Sequence, residues 1–136
     1  MERKMERADI AIIGTGPGGV SAALTAKVRN KNILLIGKKQ MSDKVSKAHQ
    51  IMNYPGLPAV TGADMAKAFE KQLAMMEINI TDSRIGTVYA MGDYFAIQAG
   101  GEVLEAKSVI LACGVVSGKT LPGEREYVPE RKLPRS

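Results

Sequence analysis

The stretch that most constrains this chain runs from Asp9 to Gly19, where an apolar run breaks directly into glycine. Asp9-Ile10-Ala11-Ile12-Ile13 lacks the alternation of a half-exposed strand and predicts a strand covered on both faces. Gly14-Thr15-Gly16-Pro17-Gly18-Gly19 follows, and Gly18 to about Asn30 is alanine-rich and predicts a helix. Asn30 suits a left-handed stop. Asn32-Ile33-Leu34-Leu35-Ile36 predicts a second buried strand. Two parallel strands joined by a helix form a right-handed crossover unit. In such a unit the first glycine permits the sharp turn, the second lets backbone approach a ligand, and the third lets helix and strand pack closely. The free amides of a helix start attract an anion. In this context Gly14, Thr15, Gly16, Pro17, Gly18 and Gly19 form a cradle for the pyrophosphate of a dinucleotide; the alternative is a tight turn with no ligand.

An acid at the end of the second strand usually holds a ribose hydroxyl. Here Gly37 stands in that place, followed by Lys38 and Lys39. Two readings stay open: backbone and water hold the ribose beside Gly37, or the lysines hold the 2′-phosphate of NADP.

Downstream, residues 38–50 are polar, basic and weakly periodic, which predicts a long loop or a loop with one short helix. Asn53-Tyr54-Pro55-Gly56-Leu57-Pro58 is turn-rich. Thr61 with Asp64 three residues on marks a helix start. Met65, Phe69, Leu73 and Met76 at helical spacing carry that helix to about Glu77. Residues 78–81 predict a short third strand. Runs at 86–91, 94–98 and 103–106, separated by Gly92-Asp93 and Gly100-Gly101, predict a three-stranded antiparallel meander. Its last strand leads into Ser108-Val109-Ile110-Leu111-Ala112-Cys113-Gly114, expected as a buried strand ending at glycine.

Composition excludes several chemistries. One cysteine, Cys113, and one histidine, His49, cannot build a cysteine-rich metal site or a dithiol within the chain. No catalytic side chain and no metal site are expected; His49 reads as a solvated loop residue. The net charge of +5 is concentrated at 27–47 and in the tail. With only 4% aromatics there are few platforms for bases, so a solvated basic face is expected rather than nucleic-acid binding. No run reaches the roughly 18 apolar residues of a membrane span, and the charged start lacks the apolar core of a secretory signal. A cytoplasmic protein without a membrane partner is expected.

Taken together, several segments resemble the flavoprotein pyridine-nucleotide-disulfide reductases, most closely the low-molecular-weight thioredoxin reductases. They are Gly14–Gly19, Asn53-Tyr54-Pro55-Gly56 followed by Thr61-Gly62-Ala63-Asp64-Met65, the meander, and Val109–Gly114 followed by Leu121-Pro122-Gly123-Glu124. The resemblance covers residues 8 to 124. It implies an α/β fold, a Rossmann-like parallel sheet with a three-stranded antiparallel meander, as an incomplete FAD/NAD(P)-binding domain. It implies FAD, with NADP as the alternative, on the glycine loop, with Asn53 and the strand end Ala112-Cys113-Gly114 near the flavin and backbone around Val88 near the adenine. Two departures stand out. Ser42-Asp43-Lys44 replaces a Gly-Gly-Gln beside the flavin, and Cys113 replaces a threonine. The family's NADPH domain with its Cys-x-x-Cys pair, and the strand that returns to complete the sheet, are not among these residues.

The expectation is therefore a domain at 1–124 and an irregular basic tail at 125–136. Its role is the FAD-binding segment of a thioredoxin-reductase-like NAD(P)H-dependent flavin oxidoreductase, inactive alone. The alternative is a stand-alone nucleotide-binding or oligomerising module. An unpaired strand edge near Gly114 predicts a homodimer or a partner chain that completes the sheet.

Overall fold

In the computed structural model, residues 6–40 and 43–115 are described. Six strands and three helices follow the order β1 (Ala8–Ile13), α1 (Pro17–Val28), β2 (Ile33–Gly37), α2 (Asp43–Ser46), α3 (Gly62–Met75), β3 (Ile80–Asp82), β4 (Ile85–Ala90), β5 (Phe95–Ala99) and β6 (Glu102–Leu111). The strands form one sheet in the order β3-β2-β1-β6-β5-β4. β3, β2, β1 and the end of β6 are parallel, while β4, β5 and the start of β6 are antiparallel. The expected α/β class, a Rossmann-like parallel sheet with a meander, is what the chain adopts.

β6 serves both halves. Its residues 102–106 pair with β5, and Ala106 to Leu111 pair with β1. The last meander strand and the strand that follows it are therefore one continuous element. The two faces of the sheet bury different clusters. Ile12 and Leu35 pack with Val20, Ala23, Met65, Phe69, Leu73 and Ile78, which places α1 and α3 on one face. Ala11, Ile13 and Ile36 pack with Ile97 and Ala106, so the meander covers the other face. Both faces of β1 and β2 are covered, which is why these strands read as apolar runs rather than alternating ones.

Both long helices stop in the same way. At α1 the Lys31 amide donates to Ala26 O and that of Asn30 to Lys27 O, with Asn30 at φ 56°. At α3 the Ile78 amide donates to Leu73 O and that of Glu77 to Ala74 O, with Glu77 at φ 54°. This is the Schellman pattern, and Ile78 adds its hydrophobic contact by joining Leu73 in the core. The cap uses residues 76–78, so β3 begins at Ile80 and not at Ile78. The α3 start is as expected: the Thr61 hydroxyl accepts from the Asp64 amide at 3.1 Å.

One expectation fails. The strand through Ser108 to Gly114 is not buried: Ile110 is 39% and Leu111 71% exposed. β6 beyond Ala106 pairs with β1 on one flank, and its pairing with β5 ends at Ala106. Among the described residues, 107–111 thus present an open edge, in line with the expected unpaired edge. An apolar run implies covered surroundings only when neighbours are present on both sides.

Candidate functional site

The glycine loop lies where β1, α1, β2 and β6 converge. The Gly14 amide donates to Ile36 O at 2.9 Å, and the Ala112 amide donates to Ile13 O at 2.8 Å. These bonds tie the strand ends of β1 and β2 and residues 112–114 around one point. Gly14 has φ 119°, and a Cβ there would run into the carbonyl oxygen of Ala112, 2.6 Å from its carbon. A Cβ at Gly19 would run into the Gly14 carbonyl, 2.7 Å from its carbon. Both glycines let backbone meet backbone, in the sharp-turn and close-packing roles expected of them.

Gly16 differs. It is the α1 N-cap at φ −76° and ψ −173°, a conformation open to any residue, and nothing lies within 4 Å of a Cβ built there. The protein therefore has no internal need for glycine at 16; its bareness faces outward. Pro17 occupies the first helical turn, where a missing amide proton costs nothing, and that turn carries no acid. The positive end of α1 is left without a carboxylate from its own first turn. This fits an anionic group lying over Gly16.

Gly37 is explained by Thr15. A Cβ at 37 would stand 2.8 Å from the Thr15 methyl, and the Thr15 hydroxyl donates to Lys38 O at 2.6 Å. Thr15 thus fills the space that a side chain at 37 would need. Lys38 and Lys39 are exposed immediately beyond. α3 adds a residue that sequence reasoning missed: Glu70 lines, with Thr15, Lys39 and Ala66, a crevice of about 20 Å³. No linear signal links Glu70 to the loop, since the juxtaposition depends on where α3 docks.

The other candidates divide. Ala112 and Cys113 are brought to the loop, the Cys113 thiol lying 3.8 Å from Ile13 O; Gly114, next in the chain at φ 71°, has nothing within 4 Å of a Cβ. Asn53 is exposed on the turn where the Leu57 amide donates to Tyr54 O. Tyr54 itself packs on Phe69, ring centroids 5.5 Å apart, beside the helix cluster. Val88 lies opposite Ile97 on β4, the outermost meander strand, with its side chain in the second cluster. His49 is exposed. Ser42 lies outside the described residues. No group of three or more His, Cys, Asp or Glu side chains among the described residues could hold a metal. No helix among them is long and apolar enough to cross a membrane.

Two ion pairs brace the base of the sheet, away from the loop. Arg7 pairs with Glu105 at 2.6 Å and stacks 3.7 Å over the Tyr94 ring. The Asp9 carboxylate accepts from the Asn32 amide at 2.9 Å and from Lys107 at 3.0 Å. The amide bond first, and Lys107 second, hold the Asp9 carboxyl below the usual carboxylate range.

Comparison with known proteins agrees with this geometry. The family model of the pyridine nucleotide-disulphide oxidoreductases matches residues 8–133. The thioredoxin reductase of Helicobacter pylori strain J99 is 37% identical over 123 residues, covering 88% of this chain and 40% of its own length. That of Bacillus subtilis strain 168 is 30% identical over 129 residues, covering 87% and 38%. Among solved structures, a ferredoxin-flavin thioredoxin reductase from Clostridium acetobutylicum superposes with a TM-score of 0.82 at 44% identity, over 91% of this chain and 43% of that one. The chain spans about 40% of the length of the relatives it matches. Fold, glycine loop and sequence agree, and the chain belongs to the pyridine nucleotide-disulphide oxidoreductase family.

Proposed function

We propose that residues 1–124 are the N-terminal part of an FAD-binding domain in a thioredoxin-reductase-like flavin oxidoreductase, with 125–136 as a basic tail whose structure lies outside the described residues. The observation that carries this reading is the contrast within one loop. Gly14 and Gly19 are required by the fold, whereas Gly16 is bare toward solvent at the positive end of α1. A glycine with no internal reason, placed where amides converge, is explained by a phosphate lying against it.

In this reading the amides of Gly16, Gly18 and Gly19 hold the pyrophosphate, with Thr15 and Pro17 shaping the loop. Gly37 keeps room for Thr15, while Lys38 and Lys39 supply positive field near the ribose. Ala112, Cys113 and Gly114, beside the loop, border the path toward the flavin ring; Asn53 and the Val88 backbone contact the cofactor from more distant elements. Bound FAD supplies two-electron redox chemistry, which this chain's own side chains do not provide. Family membership favours FAD over NADP for this loop.

The reaction of the whole protein would pass reducing equivalents through the flavin to an acceptor. The donor is a nicotinamide nucleotide, or a ferredoxin as the name of the Clostridium relative states for that protein. The single cysteine of these residues cannot form a redox dithiol, so dithiol–disulfide exchange is not a step that these residues would perform by themselves. The test is titration of the purified chain with FAD and with NADP, followed by flavin fluorescence and thermal melting. FAD should bind with quenched emission and raise the melting temperature. Stabilisation by NADP with no response to FAD would overturn the assignment in favour of a different nucleotide module.

A further inference from the structure

The chain lacks the acid that usually ends β2, and the fold leaves it no room there, since a Cβ at Gly37 would stand 2.8 Å from the Thr15 methyl. A carboxylate comes to the same corner from another element. Glu70 on α3 lines, with Thr15 and Lys39, the crevice of about 20 Å³ where the glycine loop, the chain after β2 and α3 meet. The rest of its lining is apolar, with Val20, Phe69 and Leu73 buried. Among the described residues, neither Lys39 nor Glu70 has an ion-pair partner. Two opposite charges thus border one gap, each without a mate.

Size and chemistry choose the occupant. A gap of this volume holds one water-sized group. That group must accept from an ammonium and donate to a carboxylate, because the Thr15 hydroxyl has already given its proton to Lys38 O. A hydroxyl does both. A phosphate is larger, only accepts, and is repelled by Glu70. Thr15 belongs to the loop read above as the pyrophosphate cradle, and the ribose of a dinucleotide reaches the end of the second strand. The hydroxyl at hand is therefore that of the ribose. Asp82, in register with Gly37 on β3, is a second acid at this end of the sheet, but it does not line the crevice.

We propose that Glu70 takes the place of the missing acid: its carboxylate accepts the 2′-hydroxyl of the adenosine ribose, which in turn accepts from Lys39. The site then selects a plain ribose and rejects a 2′-phosphate. Lys38 and Lys39, which in the sequence leave an NADP site open, are turned by a residue of α3 to the opposite preference. The inference rests on the dinucleotide reading of the glycine loop and deepens it.

The test is calorimetric titration of the full 136-residue chain with ADP, 2′-deoxy-ADP and 2′-phospho-ADP, which differ only at the ribose 2′ position. ADP should bind about tenfold more tightly than either analogue, the loss expected for one charged hydrogen bond. Glu70→Ala should remove most of the difference between ADP and 2′-deoxy-ADP. Glu70→Lys should bring 2′-phospho-ADP above ADP in affinity. Glu70 is exposed, so the nucleotide-free variants should melt with the unaltered chain. Glu70→Gln, which keeps the shape and loses the charge, should narrow the same difference and serves should the other two misfold. Asp82→Asn should leave the preference intact. Equal binding of ADP and 2′-deoxy-ADP by the unaltered chain, a preference that survives both Glu70→Ala and Glu70→Gln, or its loss in Asp82→Asn would each overturn the assignment and leave the flavin reading standing. A chain that binds neither ADP nor FAD would remove both.

Discussion

Gly14 and Gly16 stand two residues apart in one loop, and the structure assigns them opposite reasons for being glycine. Alanine at 14 must adopt φ 119° and place its Cβ 2.6 Å from the Ala112 carbonyl carbon and 3.2 Å from the Cys113 amide nitrogen, where ordinary contact begins at 3.4 Å. Overpacking costs about 1–3 kcal/mol and the strained backbone about as much again, so Gly14→Ala should cost about 4 kcal/mol. A domain of this size loses roughly 3–5 °C of melting temperature per kcal/mol, which gives a fall of more than 10 °C. Aspartate at 16 meets no neighbour, fits the extended N-cap conformation, and places a carboxylate at the positive end of α1. Asp is a better N-cap than Gly by a few tenths of a kcal/mol, and the dipole adds about 0.3–1 kcal/mol. Gly16→Asp should therefore leave the melting temperature of the nucleotide-free protein unchanged or slightly raised.

The same carboxylate stands where the proposed pyrophosphate lies. Losing one charge-assisted hydrogen bond there costs about 1.5–3 kcal/mol, a fall in FAD affinity of roughly 10- to 150-fold before repulsion is added. The assay is differential scanning fluorimetry of both variants without FAD, then flavin fluorescence titration of Gly16→Asp. A destabilised Gly16→Asp protein would refute the claim that position 16 has no internal role. Unchanged FAD affinity would refute the claim that it faces the cofactor.

Other expectations rest on single contacts. Gly37→Asp, which installs the acid usual at this place, should displace Thr15 and lower the melting temperature. Thr15→Ser removes the methyl that a Cβ at 37 would meet and should recover part of the loss in the double variant, a coupling that a thermodynamic cycle measures. Asp9 has a lowered folded-state pKa, so its contribution is present above the unfolded carboxylate range near pH 4 and disappears as pH falls through the folded value. Asp9→Asn should flatten the acid limb of a urea-stability profile below about pH 4, with little change in its slope near neutrality. Thr61→Ala should cost about 1 kcal/mol through loss of the α3 cap, and Thr61→Ser should restore most of it; equal melting temperatures for all three would show that the 3.1 Å contact contributes nothing.

Residue order alone determined the crossover unit, because its signals are local. Apolar runs of strand length, glycines at fixed offsets and a left-handed Asn30 each act within a few residues. The Thr61 cap and the meander turns were legible for the same reason, as was the convergence of motifs that points to the family. Tertiary structure decided what depends on distant neighbours. The Glu77–Ile78 cap delayed β3 because Ile78 had a core to enter. Tyr54 packs on Phe69 because of where α3 docks, and the same docking sets Glu70 along one crevice with Thr15 and Lys39. The exposure of Ile110 and Leu111 was invisible in an apolar run, since burial is a property of what lies alongside a strand. Even the glycines divide this way: their pattern is in the sequence, but only the backbone of Ala112 distinguishes the glycine the fold needs from the one left bare for a ligand.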